Sequence, residues 1–284
     1  MKRLLVTGAS GFMGSRVVDF YRGKYEICAP GHGEMDITEE AEVISGLRDW
    51  RPDYVVHCAA ISDIGRCEQE PERSLRINVD GAVNLAKASA LVGAKCLLCS
   101  SDQVYAGSIV TGPHRETEKV TPGNLYGREK LLAEEKCLEV NPDCVSLRLS
   151  WMYDARTLNE KEHGDFLRTL LAKIRTSETL RYPGNDMRGI TDVNEVAEHL
   201  EAAFSLKGGV YNFGSPNAKS MYDTVHSLFE KLGWETERLA RDGEAHGGNS
   251  RDLTMSQEKT NGAGIYFMDT EERLVRCIRA AIQN

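Results

Sequence analysis

No stretch of this chain approaches the ~20 consecutive apolar residues that a membrane-spanning helix needs. Positive charge is also short: 35 Lys and Arg face 43 Asp and Glu, a net charge of −8. That balance argues against nucleic acid or an anionic membrane as partner, because both demand a basic face. An anionic ligand must instead be met by local backbone donors or by single Arg and Lys side chains. The seven histidines show no paired spacing, so no metal site is expected. No internal repeat, low-complexity tract or block of like charge interrupts the 284 residues, enough chain for one large domain or two unequal lobes. The opening "MKRLLVTGAS" enters a strand and a glycine turn at once, without the apolar core of a signal peptide, and a cytoplasmic protein is expected. In that compartment the eight cysteines, mostly inside apolar runs, read as buried thiols. "CLLC" at 96–99 has the spacing of redox and zinc sites, but in a strand its two cysteines point to opposite faces.

What is present is an alternation. "RLLVT" (3–7), "YEICA" (25–29), "YVVHCA" (54–59), "AKCLLCS" (94–100) and "CVSLRLS" (144–150) read as buried strands, with helical patterns near 12–22, 38–49, 71–92 and 125–140. Short links between strand and helix predict an α/β fold, a Rossmann-type doubly wound parallel sheet. Past about residue 151 the pattern loosens. "NEKEHGD" (159–165) reads as a mobile polar loop, and "DGEAHGGNSRD" (242–252) as a glycine-rich one. "TDVNEVAEHLEAAF" (191–204) reads as a helix opened by a capping box of Asp192 and Glu195. A second helix runs over 220–233, from Ser220 to a stop at Gly233. The expected division is a dinucleotide-binding domain over 1–151, rejoined by 187–212, and a smaller C-terminal substrate lobe from 152–186 and 213–284.

The first turn, "VTGASGFMGSRVVDFY", spaces Gly8, Gly11 and Gly14 between a strand and a helix. In a dinucleotide site the first glycine makes the turn, the second lets a pyrophosphate approach, and the third packs helix on sheet, with the phosphate at the helix N-terminus. A plain strand-to-helix turn is the competing reading, but strand, helix and βαβ context are all there. The cofactor candidates are therefore Gly8, Gly11, Phe12, Met13 and Gly14, joined by Gly31, by Asp36 and Ile37 beside the adenine, and by Ala59 and Ala60 of "HCAAIS". Where a carboxylate would bind the adenosine ribose and repel a 2′-phosphate, the chain has Gly31 and His32, which favours NADP while leaving NAD open. Arg16 either reaches that phosphate or is solvated on the helix surface.

"TGASGFMG", "HCAA", "CSSDQVYAG" and "YGREK" together resemble the extended short-chain dehydrogenase/reductase superfamily. "RPDYVVHCAA", "EQEPERSLRINVDGAVNLAKA", "LYGREKLLAEE", "LRLSWMY" and "GGNSRDLTMSQEK" narrow the likeness, over nearly the whole chain, to the dTDP-4-dehydrorhamnose reductase family. Tyr126 and Lys130 stand one helical turn apart on one face. Ketone reduction leaves an alkoxide that needs a proton, a tyrosine with a pKa of roughly 10 gives it reluctantly, and a nearby ammonium should lower that pKa. The resemblance makes Ser101, Tyr126 and Lys130 the catalytic set, with Ser101 polarising the carbonyl and Lys130 also holding the nicotinamide ribose. Taken singly, the pair could be a helix-surface contact and Ser101 a strand-end cap.

The resemblance also assigns Ser101, Asp102, Trp151 and Arg188 to the substrate. Trp151 would stack on a base or line the pocket, unless it is a core tryptophan. Arg188 would meet substrate phosphates, unless it serves a surface salt bridge. "SSDQVYAG" departs from the reductases' Thr-Asp-Tyr towards the Thr-Asp-Glu string of nucleotide-sugar 4,6-dehydratases, whose Asp and Glu eliminate water. Gln103 stands at the Glu position and cannot act as a base. The implied activity is NADPH-dependent reduction of a 4-keto group on a nucleotide-linked deoxysugar, with dTDP-4-dehydrorhamnose first among candidates and a homodimer admitted as the assembly. A nucleotide-sugar epimerase, which would retain NAD and consume no NADPH, and a non-catalytic regulatory subunit on the same fold are the alternatives.

Overall fold

The computed structural model describes residues 1–156, 165–176 and 179–283. Of the polar stretch 159–165, all but Asp165 lies outside the described residues. Six parallel strands form the central sheet: β1 (Arg3–Thr7), β2 (Glu26–Cys28), β3 (Tyr54–His57), β4 (Lys95–Ser101), β5 (Val145–Leu149) and β6 (Gly209–Phe213). Their order is β6-β5-β4-β3-β1-β2. Sequence order therefore reverses between β1 and β3, where Leu5 lies opposite Val55 and Thr7 opposite His57. At such a switch point the connections leave in opposite directions and open a crevice beyond the strand ends.

The apolar runs are continuous because both faces of the sheet are covered. Leu4, Val6, Leu97 and Cys99 enter a core on one face, and Leu5, Val55, Leu98 and Cys96 enter a second core on the other. The two cysteines of "CLLC" thus part to opposite faces, both as free thiols. Helices Phe12–Tyr21 and Val193–Ala203 cover the first face, the latter through Val193, Val196, Leu200 and Ala203. A third core gathers Tyr153, Phe166, Leu170, Tyr182, Val225, Leu228 and Leu274, all from beyond β5. Ile265 and Phe267, although late in the chain, pack into the first core.

Several local expectations change. The pattern over 71–92 is two helices, Pro71–Leu75 and Gly81–Val92, joined by a wider π-type turn over Arg76–Asp80. Such turns re-aim side chains at functional sites, and here Asn78 is turned inward and buried. Arg16 is neither solvated nor free for a phosphate: it is 1% exposed and its Nε donates to Asp154 at 2.9 Å. Asp192 does cap its helix, accepting from the amide of Asn194. The capping box does not close, because Glu195 accepts from the amide of Met268 instead. Ser220 and Gly233 bound their helix as expected.

Candidate active site

A cavity of about 730 Å³ opens at the switch point between β1 and β3, a size ordinary for a cofactor or ligand site. Gly8, Gly11, Gly31, Asp36, Ile37, Ala59 and Ala60, all expected from sequence, line it. Gly8 has φ +67°, and a Cβ there would lie 2.6 Å from the amide nitrogen of Ala59. Gly14 does not line the cavity; a Cβ there would meet the carbonyl of Gly8 at 2.2 Å, so it seats the helix against the turn. Helix Phe12–Tyr21 starts at Gly11 with no side-chain cap, leaving its first amides to a ligand. Met13 is buried in the first core, and the ring of Phe12 lies under the Arg16 guanidinium at 4.4 Å, so neither side chain reaches the cavity.

At the end of β2 the absence of a carboxylate from Gly31 and His32 stands, with one addition from the next turn. Gly31 brings no carboxylate of its own, but its amide donates to Glu34 Oε2 at 2.7 Å. An acid therefore does sit at the strand end, supplied by the following turn. Thr7, Cys58, Ile61 and Arg76 also line the cavity and were not singled out. The first three directly adjoin residues that were, so the strand ends carried the signal. Arg76 carried none, because only the chain's return over β3 brings it near.

Ser101, Tyr126 and Lys130 meet beyond one end of this cavity. Asn124 caps helix Leu125–Val140 by accepting from the amide of Gly127 at 2.7 Å. A Cβ on Gly127 would lie 2.3 Å from the carbonyl of Gln103, so only glycine lets this helix approach the turn that carries Ser101. Tyr126 is 8% exposed and packs against cavity-lining Ile61. The Ser101 side chain acts on its phenol, while the Ser101 hydroxyl donates to Asp102 Oδ1 at 3.3 Å. Lys130 is buried, with its ammonium 5.6 Å from the centre of the Tyr126 ring and donating to the carbonyl of Cys99 at 2.9 Å.

Burial pushes the Tyr126 phenol upward, with the Ser101 side chain pulling the other way, and burial pulls the Lys130 ammonium down. The expected lowering of the tyrosine by the lysine is not found; burial dominates and the Asp102 charge adds to it. Beside them His57 is buried and driven down to about 3 by desolvation and the Lys130 charge, so it stays neutral, its Nδ1 paired with the Thr7 hydroxyl at 2.7 Å.

Glu129, one residue before the lysine, was also missed. It is 1% exposed and accepts from Asn78 Nδ2 at 2.7 Å. Asn78 in turn accepts from the amide of Ile61 at 2.8 Å, so the helix and the cavity wall are held in one register.

The remaining candidates form a second cluster. Arg188 Nη2 donates to Asp102 Oδ2 at 2.7 Å, and the Arg188 guanidinium lies 5.2 Å from the centre of the Trp151 ring. Arg188 is buried, not a surface bridge, and its Nε has no hydrogen-bond partner among the described residues. Trp151 is 37% exposed, so it is not a core tryptophan. Asp102 Oδ1 also takes the Ser101 hydroxyl at 3.3 Å, joining this cluster to the first. Gln103 donates to Asp102 and accepts from Asn124, which keeps its amide within the same network. Among the described residues no group of three or more His, Cys, Asp or Glu side chains could hold a metal ion, and no helix is long and apolar enough to cross a membrane.

The family described as the RmlD substrate binding domain matches residues 1–248. The chain belongs to that family. A dTDP-4-dehydrorhamnose reductase of Streptomyces griseus is 39% identical over 245 residues, 84% of this chain and 78% of its own. The spore coat polysaccharide biosynthesis protein SpsK of Bacillus subtilis (strain 168) is 30% identical over 250 residues, covering 87% and 85%. In fold the chain is similar to the dTDP-4-dehydrorhamnose reductase of Bacillus anthracis str. Ames solved in complex with NADP, with a TM-score of 0.86, 24% identity and coverage of 100% and 99%. Membership in the RmlD family makes this chain an NAD(P)-dependent oxidoreductase.

Proposed function

We propose that this protein reduces the 4-keto group of a nucleotide-linked deoxysugar with NADPH, dTDP-4-dehydrorhamnose being the first candidate. The observation that carries the reading is that Tyr126, beside Lys130 and Ser101, packs against Ile61 of the switch-point cavity wall. The cofactor fits there on the chain's own geometry. Gly8 and Gly11 clear a path for a pyrophosphate, the uncapped helix offers amides to it, and Ala59 and Ala60 line the wall. The bound dihydronicotinamide supplies the hydride.

The residues of the chain do the rest. The Ser101 hydroxyl polarises the carbonyl, and Tyr126, kept protonated by its burial, delivers the proton to the oxygen that gains charge. Lys130, held by the Cys99 carbonyl beside the Tyr126 ring, would face that oxygen and would hold the nicotinamide ribose. Trp151, partly exposed, offers ring surface to the sugar or base, and Arg188 has an Nε unpaired among the described residues for a phosphate. Asp102 keeps that guanidinium turned towards Ser101.

The test is NADPH oxidation against a panel of 4-keto nucleotide-sugars. Turnover with a dTDP-linked 4-keto-6-deoxy sugar is expected. Release of tightly held NAD on denaturation, with no NADPH consumed, would instead identify an epimerase. Gln103 has no usable pKa for an elimination, so dTDP-glucose incubated with NAD is expected to yield no 4-keto-6-deoxy product. Its formation at a catalytic rate would overturn the assignment.

Cofactor choice follows from the end of β2. NADPH is expected to serve at least as well as NADH. Gly31→Asp should shift the kcat/KM ratio towards NADH by repelling the 2′-phosphate, and Glu34→Gln should shift it towards NADPH by removing the carboxylate now on the Gly31 amide. A wild type with strong NADH preference would mean that Glu34 has taken the role of the missing acid.

A further inference from the structure

Two thiols stand together at the cavity wall and have no part in the chemistry above. Cys58 and Cys99 follow the registered pair His57 and Leu98 on the parallel strands β3 and β4, and their Sγ atoms are 3.6 Å apart. Adjacent strands run ~4.8 Å apart, within the ~4.4–6.8 Å between Cα atoms that a disulfide spans. Cys58 is half-buried and lines the cavity, while Cys99 lies behind it, 8% exposed. The Lys130 ammonium reaches the Cys99 carbonyl and stands near both sulfurs. A hydrogen bond from Cys58, and after it the Lys130 charge, hold the Cys99 thiol below its usual range, while that hydrogen bond and burial hold the Cys58 thiol well above its own. By contrast Cys96, Cys137 and Cys144 are sealed in the second core.

We propose that Cys58 and Cys99 form an oxidisable pair that a peroxide entering the open cavity converts to a disulfide, with loss of cofactor binding. The Cys58 sulfur attacks one peroxide oxygen as its proton passes to the Cys99 thiolate 3.6 Å away, the O–O bond breaks, and the departing hydroxide takes that proton from Cys99 as water, giving a sulfenic acid on Cys58. The Cys99 thiolate then attacks the Cys58 sulfur. The S–O bond breaks, and hydroxide leaves and is protonated by the medium. Two thiols and one hydrogen peroxide become one disulfide and two waters. Drawing the sulfurs together moves the Cys58–Ala59 wall, against which Gly8 already sits too close for a Cβ, and the carbonyl that holds Lys130. The effect on cofactor binding rests on the cavity being the dinucleotide site; the cross-link itself does not.

The experiment treats the full chain with hydrogen peroxide and measures intact mass, disulfide-linked peptides and NADP binding. The expected result is loss of the mass of two hydrogen atoms, a cross-linked peptide pair joining residues 58 and 99, and loss of NADP binding that dithiothreitol restores. Cys58→Ser and Cys99→Ser should each abolish the cross-link. Saturating NADP present beforehand should prevent it, since Cys58 lines the cavity. No mass loss, or a cross-link between other cysteines, would overturn the proposal. A 58–99 cross-link that forms equally with NADP present would uphold the pair and count against the cavity as the cofactor site.

Discussion

Tyr126→Phe is expected to bind NADP as the wild type does and to lose turnover by about 10²–10⁴-fold, the usual contribution of a general acid. The substitution removes one hydroxyl and keeps the ring, which packs with Ile61 and Cys67, so helix Leu125–Val140 keeps its seat. What disappears is the proton donor. Because burial raises this phenol, its proton stays in place from neutral pH up to at least the ordinary tyrosine range of roughly 10. Reduction should therefore show no loss of its acid as pH rises across that span. Single-turnover rates with pre-bound NADPH, beside a binding titration, separate chemistry from affinity. Near-normal turnover in the variant would remove Tyr126 from the mechanism.

Arg148→Met should cost about 3–5 kcal/mol of stability, the range for breaking a buried ion pair from one side. Arg148 on β5 donates to Glu134 through Nε at 3.0 Å and Nη2 at 2.7 Å, and to the Tyr105 hydroxyl through Nη1 at 2.8 Å. Both charged side chains are almost wholly buried, at 3% and 2%. Glu134 also takes the Ser100 hydroxyl, and Tyr105 donates to Asn212 of β6 at 2.8 Å. Removing the guanidinium leaves a carboxylate in the core with one neutral donor. Adding Glu134→Leu to Arg148→Met should recover most of the loss, because no unpaired charge then remains. Denaturant melts of the three variants check this, and a loss below ~1 kcal/mol for Arg148→Met would mean that water reaches Glu134.

The sheet was legible because its strands are apolar on both faces, and that pattern survives any detail of packing. The runs at 3–7 and 54–59 each contain an observed strand, the run at 94–100 covers all of another but Ser101, and the glycine spacing after the first foretold the turn that opens the cavity. The Tyr126–Lys130 pair was legible for a similar reason, since helical spacing alone puts both on one face. Helix caps were read less well where the partner is remote. Asp192 bonds within its own turn and was foreseen, whereas Glu195 bonds to Met268, far along the chain.

By itself the sequence determined strand order along the chain, the glycine turn and the facing of tyrosine and lysine, because each depends on neighbours within a few residues. Tertiary structure alone decided the charge states and alliances of the site. It buried Tyr126 so that desolvation raises its phenol, and it drew Arg16 into a dry pair with Asp154. It also brought Arg188 onto Asp102, 86 positions apart in sequence, and set Cys58 against Cys99 on neighbouring strands. Burial and long-range approach are properties of how chain segments pack together, and no local pattern of residues encodes the distance between two groups that meet only after folding.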